Sequence, residues 1–199
     1  MAVRKILTAV VLVLLLVGLS NLYERVSTSG KLSTLGASTD DTQQQPEHTD
    51  FEIAGGAKRI AMPNYTLSLV NGDTTTVDQV AKRGPVVLDF WEISCGYCRD
   101  EMPDLNRISA EYKAKGVTVI CVNAGDAPGD IARFASLNKL GMPMASDIDA
   151  KIFRDLGFQG FPTTILIDKH GRAASLCMGY SENMGTELPK ALDTLIAEP

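Results

Sequence analysis

Short apolar runs occur along the chain between about residues 62 and 197, and they differ in period. Val86–Phe90 is apolar except for Asp89, as expected for a strand that is buried on both faces, and Val117–Val122 and Thr163–Ile167 have the same character. A helical pattern separates the first two runs. Strands that alternate with helices predict an α/β sheet with helices on both faces, and a right-handed crossover makes the first two strands parallel neighbours.

The other elements are shorter. Asn71-Gly72 is typical of a two-residue hairpin turn between strands at 65–70 and 74–77. Further predicted elements are helices at 78–82, 130–140, 149–156 and 185–197 and extended segments at 143–147 and 173–178. In the 130–140 helix the residues expected to face inward are Ile131, Phe134, Ala135 and Leu137. Pro103 is expected to kink or interrupt the helix after Cys95, and Gly116 is expected to end it.

Residues 1–50 have a different composition. The apolar run Ile6–Leu19 follows Arg4 and Lys5 and extends toward Tyr23, which predicts a signal anchor at 1–25 with its N-terminus in the cytoplasm. A cleaved signal peptide is the alternative. Residues 26–50 are rich in Ser, Thr, Gln and Asp, which predicts a flexible polar linker. The folded domain is therefore expected at 51–199, on the exported side.

Composition excludes some functions. With 199 residues, 45% of them hydrophobic, and a net charge of -5, the chain fits one globular domain plus extra segments and offers no basic face for nucleic acid. It contains neither a Gly-rich phosphate loop nor a nucleophile elbow, so nucleotide-binding and hydrolase functions are not predicted.

The chemistry is indicated by Cys95-Gly96-Tyr97-Cys98, which follows the Val86–Phe90 strand and opens a helix. Unpaired N–H groups and the helix dipole at a helix N-terminus stabilise an anion, so the pKa of Cys95 is expected to be lowered. Cys98 lies one turn deeper, and cysteines at this spacing can close a disulfide. The pattern predicts dithiol–disulfide exchange, with Cys95 attacking and Cys98 resolving, and it requires no cofactor.

A Cys-x-x-Cys pair can also bind a metal ion or form a purely structural disulfide. A structural zinc site needs four N or S ligands, and the chain has no second Cys-x-x-Cys or His-x-His group, so no metal is predicted. A purely structural disulfide usually closes a longer loop than this one.

Taken together, the motifs resemble the thioredoxin superfamily. The resemblance rests on the cysteine pair after a buried strand, on Trp91 four residues before Cys95, and on Phe161-Pro162-Thr163 about 65 residues later. Glu101-Met102-Pro103, the Asn71-Gly72 hairpin and the helix–strand insert at 130–147 are similar to its TlpA/ResA-like membrane-anchored branch.

The resemblance implies a thioredoxin-like fold: a central mixed β-sheet with helices on both faces, an N-terminal hairpin and a central helix–strand insert. It implies that Pro162 is cis and packs against the disulfide, and that the backbone of Phe161 pairs with a bound substrate chain. Trp91 and Tyr97 are further candidates for substrate contact.

The resemblance also assigns roles to two acids. Asp89 matches a buried acid beneath the active site, and an Asp within an apolar strand is expected to have a raised pKa that suits a proton acceptor for Cys98. Glu101 matches an active-site glutamate that tunes the same thiols, with a solvated helix residue as the alternative. Cys121 and Cys177 lie in strands that the implied order separates, so they are expected to be buried, inert thiols.

The implied function is that of a membrane-anchored, exported thiol–disulfide oxidoreductase that reduces disulfides in other proteins. Its substrates would be protein thiols and disulfides, such as those of apocytochrome c, and a membrane thiol transporter would donate the electrons. The implied location is the bacterial inner membrane, with the catalytic domain on the periplasmic or extracytoplasmic side.

The chain departs from the family pattern at Ser94, where a Trp is usual, and at Tyr97, where a Pro is common. Gly96-Tyr97 is similar to the dipeptide of DsbC-like isomerases, so an isomerase or oxidase is the alternative. A copper chaperone of the same fold would need a third ligand, and neither His48 nor His170 is suitably placed.

Overall fold

The computed structural model describes residues 51–199; the predicted anchor and linker lie outside the described residues. Within the described part, no helix combines the length and the apolar character needed to cross a membrane. Residues 51–199 form one sheet of eight strands in the order β1-β8-β7-β4-β5-β6-β2-β3. The strands are β1 Ile60–Ala61, β2 Thr66–Leu69, β3 Thr74–Thr76, β4 Val86–Trp91, β5 Thr118–Ala124, β6 Met144–Asp147, β7 Thr163–Ile167 and β8 Arg172–Met178.

The sheet is mixed. β4 pairs in parallel with β5, and β5 with β6, whereas β7 runs antiparallel to β4. The predicted parallel crossover from β4 to β5 is therefore confirmed. A β2–β3 hairpin is confirmed as well, and it extends the sheet beyond β6. Its turn is not the predicted two-residue type, because the Leu69 amide donates to the Asp73 carbonyl at 2.9 Å and three residues, 70–72, connect the strands. Of Asn71 and Gly72, only Gly72 has a positive φ.

Helices cover both faces of the sheet. They are α1 Val77–Ala81, α2 Gly96–Tyr112, α3 Pro128–Leu137, α4 Lys151–Asp155 and α5 Met184–Ala197, with 3₁₀ turns at Gly56–Lys58 and Lys113–Lys115. On one face, α2, α3 and α5 pack over the sheet residues that include Val87 and Cys121. On the other face, α1 and α4 cover the sheet residues that include Leu88 and Ile120. The predicted α/β architecture with helices on both faces is confirmed.

Two local details differ from expectation: the interruption at Pro103 and the inward position of Leu137. The helix after Cys95 is not interrupted at Pro103 but runs from Gly96 to Tyr112. Pro103 and Arg99 are exposed, so water can replace the hydrogen bond that proline removes from the Arg99 carbonyl. Leu137 does not face inward but is 77% exposed, because α3 ends at this residue. The α3 residue that is fully buried in the core is Ile131.

A close backbone contact joins the starts of β4 and β5. Gly84 has φ 147° and Gly116 has φ 85°, and a Cβ on Gly84 would lie 2.5 Å from the Gly116 carbonyl oxygen. Gly72, in the hairpin turn, has φ 93°, but a Cβ added there would point into open space, with no contact within 4 Å. Gly84 and Gly72 both have a positive φ, which favours glycine at each position. Only at Gly84 would a Cβ also clash with the backbone.

We therefore expect Gly84→Ala to lower the free energy of unfolding by about 3 kcal/mol, because strain and a backbone clash add. Gly72→Ala is the matched control, and it should cost about 1 kcal/mol from backbone strain alone. Urea unfolding of both variants measures the difference. Equal losses would contradict the close contact.

Candidate active site

The two cysteines of the Cys-x-x-Cys motif lie where β4 passes through a short loop into α2. Cys95 is the N-cap residue of α2, and its Sγ accepts a hydrogen bond of 3.1 Å from the Cys98 amide. The two residues form a disulfide with a Cα–Cα distance of 5.3 Å. Cys95 is partly exposed and Cys98 is fully buried. Of the two sulfurs, the Cys95 sulfur is therefore the one that a second protein can reach.

The loop that carries Cys95 is fixed by a neighbouring loop. The Asp126 carboxylate accepts a hydrogen bond of 2.8 Å from the Ile93 amide and one of 2.9 Å from the Asn123 side chain. The Arg99 guanidinium donates to the Ile93 carbonyl at 3.0 Å. The sequence did not reveal Asp126, because its contact with Ile93 spans 33 residues of chain.

The Phe161–Pro162 bond is cis, as the family resemblance implies. Phe90 at the end of β4 pairs with Thr163 at the start of β7, so Pro162 lies at the same edge of the sheet as the Cys95 loop. The Pro162 carbonyl accepts a hydrogen bond of 2.8 Å from the Gly179 amide. A substrate chain that reaches Cys95 would therefore meet the Phe161–Pro162 segment.

A row of polar and thiol side chains crosses the sheet beneath α2. Asp89 pairs in register with Thr164 on β7 and with Cys121 on β5, and Thr164 pairs with Cys177 on β8. Neither Cys121 nor Cys177 forms a disulfide, both are buried, as expected, and β7 and β4 separate their strands. Burial raises the pKa of the Cys121 thiol well above its usual value, and the nearby Asp89 and Glu101 charges raise it further. Cys121 is therefore unreactive.

Glu101, on α2 above the sheet, adds a second buried carboxyl group to this row of side chains. Asp89 is fully buried and Glu101 is 1% exposed, so the alternative of a solvated Glu101 was wrong. The Thr164 hydroxyl donates to Asp89 Oδ1 at 3.0 Å, but Asp89 Oδ2 and both Glu101 oxygens meet no donor. A proton on one carboxyl group would supply the missing donor to the other.

The pKa shifts of Asp89 and Glu101 favour the presence of that proton. Burial raises the pKa of Asp89, opposed first by the hydrogen bond from Thr164. Burial also raises the pKa of Glu101, and the charge of Asp89 raises it further. Since two neighbouring buried carboxylates repel each other, the pair titrates as a unit that retains one proton near neutral pH. Such a pair can accept or donate a proton beside the cysteines.

Aromatic side chains flank the disulfide. Tyr97 is 52% exposed and stacks on Tyr180, with ring centroids 5.5 Å apart and an interplanar angle of 20°. Tyr180 follows Gly179, whose amide holds Pro162, so this stack lies beside the cis peptide bond. The sequence did not reveal Tyr180, because it lies 83 residues after Tyr97 and carries no motif. Phe161 is half-buried and packs on Phe153, with centroids 4.4 Å apart.

The expectation that Trp91 contacts substrate is corrected by its burial. Trp91 is 0% exposed and its ring lies 5.0 Å from that of Phe134 on α3. The alternation of β4 directs residues 87, 89 and 91 to the α2 face, which places the indole in the core. Trp91 therefore supports the site from below.

Thr164 is a further residue that sequence reasoning missed. Asp89 and Thr164 are polar residues within buried strands, and because such residues need hydrogen-bond partners this is a usable signal that they pair. His170 lies in the turn after β7, beyond the end of that strand opposite Pro162. Among residues 51–199, no group of three or more His, Cys, Asp or Glu side chains is placed to hold a metal ion.

Comparisons with known proteins agree with this geometry. The thiol-disulfide oxidoreductase ResA of Halalkalibacterium halodurans is 32% identical over 116 residues, which are 58% of this chain and 65% of that protein. ResA of Bacillus thuringiensis is 32% identical over 117 residues, 59% of this chain and 67% of that protein. The aligned part thus spans about two thirds of the length of these relatives.

Solved structures share the fold. A Chlorobium tepidum protein assigned as a thiol:disulfide interchange protein DsbE superposes with a TM-score of 0.65 at 28% identity, over 70% of this chain and 97% of that one. A secreted thiol-disulfide isomerase from Corynebacterium glutamicum superposes with a TM-score of 0.67 at 24% identity, over 77% of this chain and 96% of that one. The second likeness supports the fold alone.

The thioredoxin-like resemblance inferred from the motifs is confirmed by these relatives. The model of the AhpC/TSA family matches residues 59–174, which include both cysteines and the cis proline. The chain belongs to the AhpC/TSA family.

Proposed function

We propose that the protein is a thiol–disulfide oxidoreductase that reduces disulfides in other proteins. The observation that carries the proposal is the pairing of a partly exposed Cys95 with a buried Cys98 at the start of α2, above two buried carboxyl groups. The names of the ResA relatives support the same reaction class.

In the proposed reaction the reduced protein begins with a Cys95 thiolate, stabilised by the N-terminus of α2. The thiolate attacks one sulfur of a substrate disulfide, that S–S bond breaks, and a mixed disulfide forms as the other substrate sulfur leaves as a thiolate. Cys98 then loses its proton and attacks the Cys95 sulfur, releasing the second substrate thiolate. Two electrons pass to the substrate, and the Cys95–Cys98 disulfide forms.

The proton of Cys98 needs an acceptor, because Cys98 is fully buried. Asp89 and Glu101 are the buried acids beside it, Glu101 lying one helical turn along α2. When Asp89 and Glu101 together hold one proton, one of them is still a carboxylate, and this carboxylate serves as the acceptor. The hydrogen bond from Thr164 keeps Asp89 oriented. The substrate chain lies along Phe161–Pro162, with the Tyr97–Tyr180 stack at its side.

The cellular setting of the proposal rests on the sequence. The apolar run flanked by Arg4 and Lys5 supports a signal anchor at residues 1–25 in the bacterial inner membrane, with the domain on the extracytoplasmic side. A membrane thiol transporter would re-reduce the protein, and apocytochrome c disulfides are a suitable substrate class. A copper-handling role is disfavoured, since His170 lies at the other end of β7.

The reaction predicts a trapped intermediate. Cys98→Ala in the full chain should accumulate a mixed disulfide through Cys95 when the reduced protein meets a disulfide-bonded test protein, because no thiol remains to resolve it. Non-reducing electrophoresis and mass spectrometry detect the adduct. Cys177→Ala is the matched control and should turn over without trapping. If no adduct forms and Cys95 also resists alkylation, the proposed function fails.

The carboxyl pair predicts a pH-dependent stability. The pKa of Glu101 is raised in the folded state, so the folded protein binds a proton more tightly than the unfolded chain. Glu101 therefore does not lower the free energy of unfolding when the pH is below the glutamate pKa of the unfolded chain, which is about 4.3. The free energy of unfolding falls as the pH rises from there toward the raised pKa of Glu101 in the folded protein. In the oxidised protein, Glu101→Gln should therefore add about 2 kcal/mol to the free energy of unfolding near pH 8 and little near pH 4.

Urea unfolding at the two pH values tests this, with Glu111→Gln as the control. Glu111 lies on the same helix but is exposed and pairs with Arg107, so its replacement should change stability by less than about 0.5 kcal/mol. In the same Glu101→Gln variant, release of the mixed disulfide should slow at neutral pH. A stability change of equal size at both pH values would show that Glu101 carries no extra proton.

The Gly96-Tyr97 dipeptide favours a second candidate, an isomerase or oxidase, and the reduction potential separates the two. A value for the Cys95/Cys98 pair near or below roughly -250 mV, measured by equilibration with dithiothreitol buffers, is the expected result for a reductase. A value of about -120 to -180 mV would instead assign the protein to the oxidants and isomerases.

A further inference from the structure

Two cavities lie side by side along a flank of α2 that faces α3, away from the Tyr97–Tyr180 stack. One has a volume of about 640 Å³ and the other about 250 Å³, and Asn106 lines both. The α2 residues that line them recur every three or four positions and so occupy one face of the helix: Arg99, Met102, Asn106, Ser109 and Ala110. Lys113, the first residue of the 3₁₀ turn that follows α2, continues this face. We call the larger of the two cavities the basal cavity.

The basal cavity lies at the end of the domain opposite the cysteines. It is bounded by the last turns of α2, by residues 116–119 at the start of β5, and by residues 139–143 before β6. Its floor is apolar: Val117, Val119 and Met142 line it and are themselves between 1% and 5% exposed. Its volume lies in the range of small-molecule sites.

The side chains that surround this floor carry only positive charge. Arg83, Lys113 and Lys139 line the cavity, and no Asp or Glu does. None of the three forms a salt bridge within residues 51–199, although the chain as a whole carries a net charge of -5. A neighbouring cavity that shares Arg83 contains Asp73, whose carboxylate accepts a hydrogen bond from Asn71. The positive charge of the basal cavity is therefore not neutralised by its own lining.

The loop that carries Lys139 is held in one conformation. Lys139 has φ 54°, in the left-handed region that is unfavourable for a side chain such as lysine. The Leu140 amide donates to the Ala135 carbonyl at 2.9 Å, and the Gly141 amide donates to Asn106 Oδ1 at 2.7 Å. The strain is thus stabilised by α3 on one side and α2 on the other, and Lys139 is fixed at the edge of the cavity.

We propose that the basal cavity binds an amphipathic anion: a carboxylate, or another singly charged acidic group, attached to an unbranched apolar chain. The apolar chain lies against Val117, Val119 and Met142, and the anionic group pairs with Arg83, Lys113 and Lys139. Burial of the chain and pairing with several cations act together, so an uncharged chain and a short anion both bind weakly. The anion is either a free carboxylate or the head group of an acidic lipid.

The test uses a photoactivatable diazirine analogue of decanoate with the full chain in phosphatidylcholine nanodiscs. Labelling should map by mass spectrometry to peptides that contain residues 106–119 and 139–143. The double variant Lys113→Gln/Lys139→Gln should lose labelling by fivefold or more, and Ala110→Trp, which fills the cavity from the exposed side of α2, should abolish it. Lys58→Gln/Lys169→Gln is the charge-matched control at two exposed lysines that do not line the cavity, and its labelling should equal that of the natural chain.

Competition separates the two sources of the anion. If excess decanoate removes the label and phosphatidylglycerol in the nanodisc does not, the ligand is a free carboxylate; removal by both indicates a lipid head group as well. Labelling that the variants leave unchanged, or equal labelling by the diazirine analogue of decan-1-ol, would overturn the proposal. A cooperative urea unfolding transition in each variant verifies that the fold is intact.

Discussion

Two carboxyl groups share a buried space beneath the Cys95–Cys98 disulfide, and the site is organised around the free energy that this burial costs. Asp89 and Glu101 together receive one hydrogen bond from the protein, the one from the Thr164 hydroxyl. Removing an ionised carboxylate from water costs several kcal/mol unless it is paired or protonated. Because no cation is paired with either group in the described structure, a bound proton is what lowers that cost. The fold therefore stores a proton at the place where thiol chemistry releases one.

The surrounding architecture prevents the two acids from reaching water. Asp89 lies on β4, between β5 and β7, near the centre of the sheet, where hydrogen bonding on both sides fixes the backbone. Glu101 belongs to the face of α2 that packs into the core with Cys98, Met102 and Leu105, so rotating it outward would unpack the helix. The Asp126 contact with the Ile93 amide holds the loop between these two elements. Rigid packing thus maintains an electrostatically unfavourable arrangement, which is usual for active sites.

Local pattern predicted most of the elements, because the period of apolar residues reports burial directly. The two-residue strand β1, Ile60–Ala61, was not predicted, because it is too short to show a period. Local pattern also placed Asp89 inside a buried strand and Cys95 at a helix N-terminus. It did not determine which faces of helices are covered: Leu137 was expected inside and is exposed, and Glu101 remained ambiguous until α2 was seen to pack on the sheet. Thr164 and Tyr180 were missed for a related reason. Their partners, Asp89 and Tyr97, lie 75 and 83 residues away, and tertiary structure alone brings them together.

The same carboxyl pair bears on the direction of electron flow. A strong oxidant is one whose reduced form is stabilised, and a low thiol pKa contributes to that stabilisation. The N-terminus of α2 lowers the pKa of Cys95 and so stabilises the reduced form. A buried carboxylate one helical turn from Cys98 acts in the opposite sense, because a thiolate there would meet a like charge in a space with little water to screen it. Reduction of the Cys95–Cys98 disulfide then requires Asp89 and Glu101 to hold protons. The disulfide is therefore favoured over a state in which both cysteines are thiolates. The acids beneath the disulfide thus act in the direction of electron donation, which supports the proposed reductase over the isomerase that the Gly96-Tyr97 dipeptide favours.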